Sequence, residues 1–303
     1  MGTVVTIRLV DAGRTPTERT ERVAAVARAA EWFHDVERTC SRFDEHSELR
    51  QLSSRIGVAV PVSATLYEAV RFALAVAAES GGVFDPTVGA RMERRGFNRD
   101  YRSGRVVTTP LIPTGATYRD VQLDDDQRTI ILLRPLLLDL GAVAKGMAID
   151  LAARELQSFT DFVIDAGGDL YFGGSNDAGQ PWSAGIRHPH ESSVIEALRV
   201  SEAAVCTSGD YERRTAAGHH LIDARQEEPV DDVASVTVVA PSAMAADALA
   251  TAAFVLGPAV GLAFLERQGV EGLIITPALE RFATRGLPVK DVSHGASDVA
   301  QSH

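Results

Sequence analysis

Lys145 stands in a segment whose residue types suggest phosphate chemistry. Leu138-Asp139-Leu140-Gly141-Ala142-Val143-Ala144-Lys145-Gly146 reads as a buried strand end, a glycine turn and the opening of a helix over about 143–158. Lys145 and Lys290 are the only lysines; all the rest of the 30 Lys and Arg residues are arginine. A compact ammonium suits one phosphate oxygen in a tight turn better than a planar guanidinium fork does. The plain alternative is a helix-start lysine in solvent. Asp247 and Thr251 stand four apart in the apolar run Ala243–Leu256, on one helix face. A carboxylate and a hydroxyl together are hard oxygen ligands of the kind Mg²⁺ takes. Local pairing is the plain reading of Asp247, but a charge among Ala, Leu, Phe and Val needs a partner.

Three further clusters carry polar groups beside glycines. Gly218-His219-His220-Leu221-Ile222-Asp223 offers a histidine pair, read as acid/base groups, metal ligands or exposed turn residues. Val205-Cys206-Thr207-Ser208-Gly209 is a strand end whose Thr207 and Ser208 can present hydroxyls and amides to a ligand. Asp165-Ala166-Gly167-Gly168-Asp169 lets backbone approach a bulky ligand closely. Each is a weak signal alone. There is no G-x-x-x-x-G-K-[ST], no G-x-G-x-x-G after a strand, no serine elbow and no H-E-x-x-H.

The elements that must position these residues can be read from periodicity. A first strand near the N-terminus precedes a helix over about 17–39, with Val23, Val26, Ala30, Phe33 and Val36 at helical spacing. A loop from Cys40 ends in a helix-capping Ser47, and a second long helix runs from about Ser63 to Ser80. Val83 to Gly89 is too rich in Gly and Pro for a helix and too apolar for a solvated loop. A hairpin is expected from Tyr118–Leu123 and Thr129–Leu133, then a strand at Phe162–Asp165. Further short strands follow near 182–187, 194–200, 203–207, 219–222 and 234–239, and a helix and strand finish the core. The pattern predicts α+β layers with mixed, largely antiparallel sheets and flanking helices. Residues 1–285 are expected to form one domain and 286–303 a flexible tail.

Bulk composition bounds the partners. The 303 residues are 45% hydrophobic and carry a net charge of −11, which argues against nucleic-acid or anionic-membrane binding. No apolar run approaches a membrane span, no signal peptide is visible, and a cytoplasmic location is expected for the sequence as given. Cys40 and Cys206 have no zinc or disulfide spacing and are expected to be buried free thiols.

In this order, the clusters resemble the ApbE-type FAD:protein FMN transferases. The resemblance runs from Met1-Gly2-Thr3 to the helix near residue 265. It includes the Ser47-Glu48 loop, Phe84-Asp85-Pro86-Thr87-Val88-Gly89, the Lys145 segment, the Asp165–Asp169 turn, Trp182 to Pro189, Thr207 to Tyr211, His220 to Asp223 and Ala246-Asp247-Ala248. The resemblance implies a T-fold-like architecture and Mg²⁺-dependent transfer of FMN from FAD to a Thr or Ser hydroxyl of an acceptor protein. The product is a phosphoester, and AMP leaves. Carried over by position, FAD contacts fall on Met1, Phe43, Val83, Phe84, Asp85, Asp139, Lys145 and Ile222; Thr207 and Ser208 join them as ligand-presenting residues. Metal ligands fall on the Ala142 carbonyl, the Asp247 carboxylate and the Thr251 hydroxyl. His220 matches the histidine proposed to assist chemistry, and an imidazole with an ordinary pKa of about 6.5 suits a base near neutral pH. Lys145 and Asp247 complete the catalytic set. Asp223 is a weaker candidate for the base and a candidate for orienting the site.

The chain departs from the family at several places. Ala250 stands where a second acid is frequent, and Ala224 to Pro229 lacks the usual Pro-x-Thr-Gly turn. Phe43 replaces an aromatic that is often Tyr, which keeps stacking and loses a hydroxyl. Two other functions share these residues: an FAD pyrophosphatase that uses water as acceptor, and a non-catalytic flavin-binding protein.

Overall fold

The computed structural model describes residues 2–10, 15–101, 103–109, 115–211, 214–215, 218–226, 230–289 and 300–301. Met1 and the Glu227–Pro229 part of the predicted loop lie outside the described residues.

The chain opens with β1 (Val5–Leu9) and the long helix α1 (Pro16–Cys40). Thr15 and Glu18 form a capping box that starts α1, and Pro16 fits its first turn. The buried stripe of α1 is Ala25, Ala29, Phe33, Val36 and Cys40, whereas Val23 is exposed. The apolar face is therefore rotated from the one its larger residues suggested; small residues face the protein where a neighbouring helix comes close. Ser47 caps the short α2 (Glu48–Ser53) by accepting from the Arg50 amide, as expected. Next come β2 (Val60–Pro61), α3 (Ala64–Glu79) capped by Ser63, and α4 (Gly89–Arg94). β3 (Val121–Asp124) and β4 (Thr129–Leu132) form the predicted hairpin, shortened because Tyr118–Asp120 takes a 3₁₀ turn.

The second half builds the main sheet. α5 (Gly141–Glu155) precedes β5 (Phe162–Ala166) and β6 (Asp169–Gly173). Gly167 and Gly168, both at positive φ, make the two-residue turn of that hairpin. β7 (Trp182–Arg187), β8 (Val194–Val200) and β9 (Ala203–Gly209) follow, then the minimal pair β10 (Arg214–Thr215) and β11 (Gly218–His219). The strand expected over 219–222 is thus confined to its first residue. β12 (Ser235–Ala240), α6 (Ala243–Leu256), α7 (Pro258–Gln268), β13 (Glu271–Ile275) and β14 (Arg281–Ala283) complete the core.

Seven strands lie in the order β1-β5-β6-β9-β12-β13-β14, every neighbouring pair antiparallel. Period-two alternation sends their side chains to two different cores. Phe162, Ile164, Cys206, Val236 and Val238 pack with the helices. Val163, Leu170, Phe172, Val205 and Leu273 pack against the smaller β7–β8 sheet. Of the expected tail, Val289 bridges Leu198, and the two-residue β15 (Ala300–Gln301) pairs in parallel with β7. Among the described residues, no helix is long and apolar enough to cross a membrane.

Candidate functional site

The polar clusters meet where α5 and α6 cross the helix-facing side of β6 and β9. Asp150 near the end of α5 accepts from the Ala243 and Met244 amides at 2.7 and 3.0 Å, completing the Ser242 cap of α6. One turn earlier in α5, a Cβ added to Gly146 would stand 2.4 Å from the Ala243 carbonyl oxygen. The two helices therefore touch backbone to backbone at the start of α6. One further turn back in α5 is Ala142, and one turn forward in α6 is Asp247.

Asp247 is buried, at 6% exposure, on the same face as Thr251. The Thr251 hydroxyl lies 3.2 Å from the Ser208 hydroxyl of β9. Lys145 is held by an ion pair with Asp169, Nζ to Oδ2 2.5 Å. Asp169 opens β6, and its position on the helix-facing side follows from Leu170 and Phe172 facing the other core. Its Oδ1 also accepts the Thr207 amide at 3.3 Å. Cys206 lies beneath these charges. Burial first, then Asp169 and Asp247, push its thiol well above the ordinary value. Both cysteines are free and buried.

Thr207 and Ser208 are separated by the strand's alternation. The Thr207 hydroxyl lies 2.8 Å from that of its cross-strand partner Thr237, on the face shared with Val205. Only Ser208 reaches toward Thr251. The Gly167-Gly168 pair, read from sequence as a close approach to a ligand, serves the hairpin turn. Gly167 also sits under Thr3, so a Cβ there would overlap the Thr3 hydroxyl.

A second group of predicted residues is built on loops. The Val83 carbonyl accepts the Ala224 amide at 3.2 Å, which joins the 83–85 loop to the Ile222 segment. Asp85 is buried, and its carboxylate accepts the Thr87 amide and hydroxyl at 2.8 and 2.7 Å and the Tyr118 amide at 2.9 Å. The side chain of Asp85 thus organises its own loop. Phe84 and Ile222 are buried beside it. Asp139 accepts the Gly141 amide at 2.8 Å, at the start of α5, and binds Arg42 Nε at 2.7 Å. Phe43 lines a cavity of about 530 Å³ together with His34, Glu37, Ser41, Asp44 and Arg105; Lys145, Asp247 and Thr251 do not line it.

The histidine pair divides its labour. His219 is buried, with Nδ1 accepting the Leu221 amide at 3.2 Å and Nε2 3.0 Å from the Val230 carbonyl. Its ring meets Phe254 of α6 edge-on at 5.7 Å. His220 turns the other way, with its ring 6.2 Å from Phe97. Asp223 is chelated by its neighbour Arg225, Nη2 to Oδ2 2.8 Å and Nε to Oδ1 3.1 Å. Burial raises the Asp223 carboxyl, but the Arg225 guanidinium and local amides hold it below the usual range.

Sequence reasoning missed Asp169 as the partner of Lys145, Asp150 as the cap of α6, and Arg42. Strand parity after the double glycine was the available signal for Asp169. Arg42 lay unremarked between two residues already singled out.

The ApbE family profile matches residues 1–274. A protein of Treponema pallidum described as FAD:protein FMN transferase is 34% identical over 271 residues, covering 80% of this chain and 74% of that protein. Among solved structures, an ApbE protein from Thermotoga maritima superposes with a TM-score of 0.80 at 28% identity, covering 93% of this chain and 96% of that one. The flavin transferase ApbE from Vibrio cholerae gives 0.79 at 26% identity, with 94% of each chain covered.

Proposed function

Because this chain belongs to the ApbE family, we propose that it transfers FMN from FAD to a Thr or Ser hydroxyl of an acceptor protein, releasing AMP in an Mg²⁺-dependent reaction. The observation that carries the reading is the convergence of Lys145–Asp169 from one side and Asp247, Thr251 and Ser208 from the other. An acidic protein that handles a pyrophosphate needs local positive charge, and it has placed its one lysine of the described residues here.

The donor set fits Mg²⁺. Among the described residues, no group of three or more His, Cys, Asp or Glu could hold a metal. The proposed site instead combines one carboxylate, one hydroxyl, one carbonyl and water, the hard oxygen donors that Mg²⁺ takes. Asp247, Thr251 and the Ala142 carbonyl would hold the ion; a helical carbonyl keeps a second lone pair for such a bond. Ala250 contributes no oxygen to this set. When bound, the ion neutralises pyrophosphate charge and aligns the phosphates.

The chain's own residues supply the rest. Lys145, fixed by Asp169, directs its ammonium at a phosphate oxygen. Phe43, Val83, Phe84, Asp85, Asp139 and Ile222 form the walls around FAD. His220 accepts the proton of the acceptor hydroxyl on a ring nitrogen as that oxygen attacks the FMN phosphorus. The bond from that phosphorus to the bridging oxygen breaks, and AMP leaves with the electron pair. Residues 1–285 act together as the transferase unit.

The test is incubation with FAD, Mg²⁺ and a protein bearing a modifiable Thr, read by mass spectrometry. An FMN adduct on that protein is expected. FAD binding with no adduct on any acceptor would sink the transferase reading, and FMN and AMP released without acceptor would replace it with a hydrolase.

A further inference from the structure

The geometry points to Arg42 as a residue that positions Phe43 and Asp139 for FAD, a role that rests on the flavin-transferase reading above. Arg42 is 5% exposed, an unusual depth for a guanidinium that has a single carboxylate partner. Two of its three contacts end on residues of the loop-built half of the site, and the third on Phe97 beside it. Its Nε donates to Asp139 Oδ2 at 2.7 Å, and its Nη2 donates to the Phe97 carbonyl. Its central carbon lies 4.1 Å from the centroid of the Phe43 ring, within cation–π range. Phe97 in turn meets His220 with its ring edge.

The fourth group is left over. Arg42 Nη1 is buried with no hydrogen-bond partner. A desolvated cation with an unsatisfied amino group is a poor choice for stability alone, because apolar residues of similar volume commonly serve as well. What the guanidinium does that an apolar side chain cannot is fix two groups at once. It holds the Asp139 carboxylate by one edge and backs the Phe43 ring with its plane. Phe43 also lines the 530 Å³ cavity, so there is room beside the ring for a second flat ring. FAD offers two, adenine and isoalloxazine. Arg42 thereby sets the ring against which one of them stacks and the orientation of the Asp139 carboxylate beside it. Lys at this position keeps the charge but loses the planar fork and the stack.

The test compares Arg42→Lys and Arg42→Met with the wild type. Three quantities are measured: FAD affinity by flavin fluorescence with Mg²⁺ present, steady-state kcat and KM for FAD, and the thermal midpoint of the ligand-free protein. Arg42→Lys is expected to weaken FAD binding roughly tenfold or more, with kcat at saturating FAD within about threefold. The double variant Arg42→Lys/Asp139→Asn is expected to lose less than the sum of its parts, since both act through one contact. AMP and FMN as separate probes then show which half of FAD lies against Phe43: the half that loses affinity in Arg42→Lys. Binding of FAD by Arg42→Lys within about twofold of wild type would overturn the proposal. So would an affinity loss that only follows a falling thermal midpoint across both variants. Failure of the wild type itself to bind FAD would instead remove the flavin-transferase reading, and this role with it.

Discussion

The two halves of the candidate site are made of different materials. Lys145, Asp169, Ser208, Asp247 and Thr251 project from α5, α6, β6 and β9, elements locked together by the Gly146–Ala243 contact and by Asp150 capping α6. Phe43, Val83, Asp85, Asp139 and Ile222 sit on loops or at element ends, and side-chain-to-backbone hydrogen bonds hold those loops in shape. Sites on regular elements keep their geometry to a fraction of an ångström, whereas loops follow what they bind. The regular half is suited to charge alignment and the loop half to ligand capture. Damage to the first should appear in turnover and damage to the second in affinity for FAD.

The largest expected effect is on turnover. Asp247→Ala should lower Mg²⁺-dependent transfer by roughly a hundredfold to a thousandfold, while stability and FAD affinity change little. Equal turnover at saturating Mg²⁺ would show that α6 does not hold the ion. Gly146→Val drives a side chain into the Ala243 backbone and should cost about 3 kcal/mol in urea unfolding, with loss of activity in the fraction still folded. A mild loss there would mean that the helix pair tolerates separation, and the contrast with the loops would weaken.

Lys145→Arg sharpens the division. A larger, forked cation beside Asp169 should lower kcat by roughly tenfold, whereas Phe43→Leu should act on the KM for FAD by a similar factor. If both variants moved the same parameter, the halves would not be functionally distinct.

The smallest expected effects lie in the loop half and beneath the regular half. The native Asp223 carboxyl titrates below its ordinary value of 3.8, so the ionised form is favoured by folding. Its stabilisation is complete above that ordinary value and is lost as pH falls through the folded one. Arg225 is half exposed, which limits the pair to about 1 kcal/mol or less. The thermal midpoint of Asp223→Asn should lie slightly below wild type at neutral pH and converge with it in acid. A gap that widened on acidification would reverse the assignment. Cys40, pushed up to about 12 by burial and then by Glu48, and Cys206 should both resist a thiol reagent in the native protein. Rapid labelling of Cys206 would mean that the floor of the regular half opens.

These comparisons also show what the sequence made legible. Helices announced themselves through periodicity and, at Ser47, through a cap: Ser47 begins one where expected, and the helices that Thr15, Ser63 and Ser242 cap start within a residue of the positions expected. The i,i+4 spacing placed Asp247 and Thr251 on one face without any tertiary information. The Lys145–Asp169 pair was not legible, because it joins residues brought together only when β6 lies under α5. The exposed Val23 was misread for a related reason: periodicity gives a stripe, and the neighbouring helix chooses which part of it to cover. Loop residues entered the candidate site through family likeness more than through pattern. Their positions depend on bonds such as Asp85 to Tyr118, which span segments of no regular spacing.

The alternation in β9 carries a consequence for how this chain can change over evolutionary time. Cys206 and Ser208 face the helices and Thr207 faces away, so the roles of adjacent residues are set by odd or even position. Substitutions along the strand alter one neighbour at a time and can be tolerated. A single inserted or deleted residue before Cys206 would exchange the two faces together, burying Thr207 beside Asp247 and turning Ser208 away. Length variation among descendants of this sequence should therefore accumulate in the turns flanking β9 and spare the strand, even where the amino acids within it have drifted.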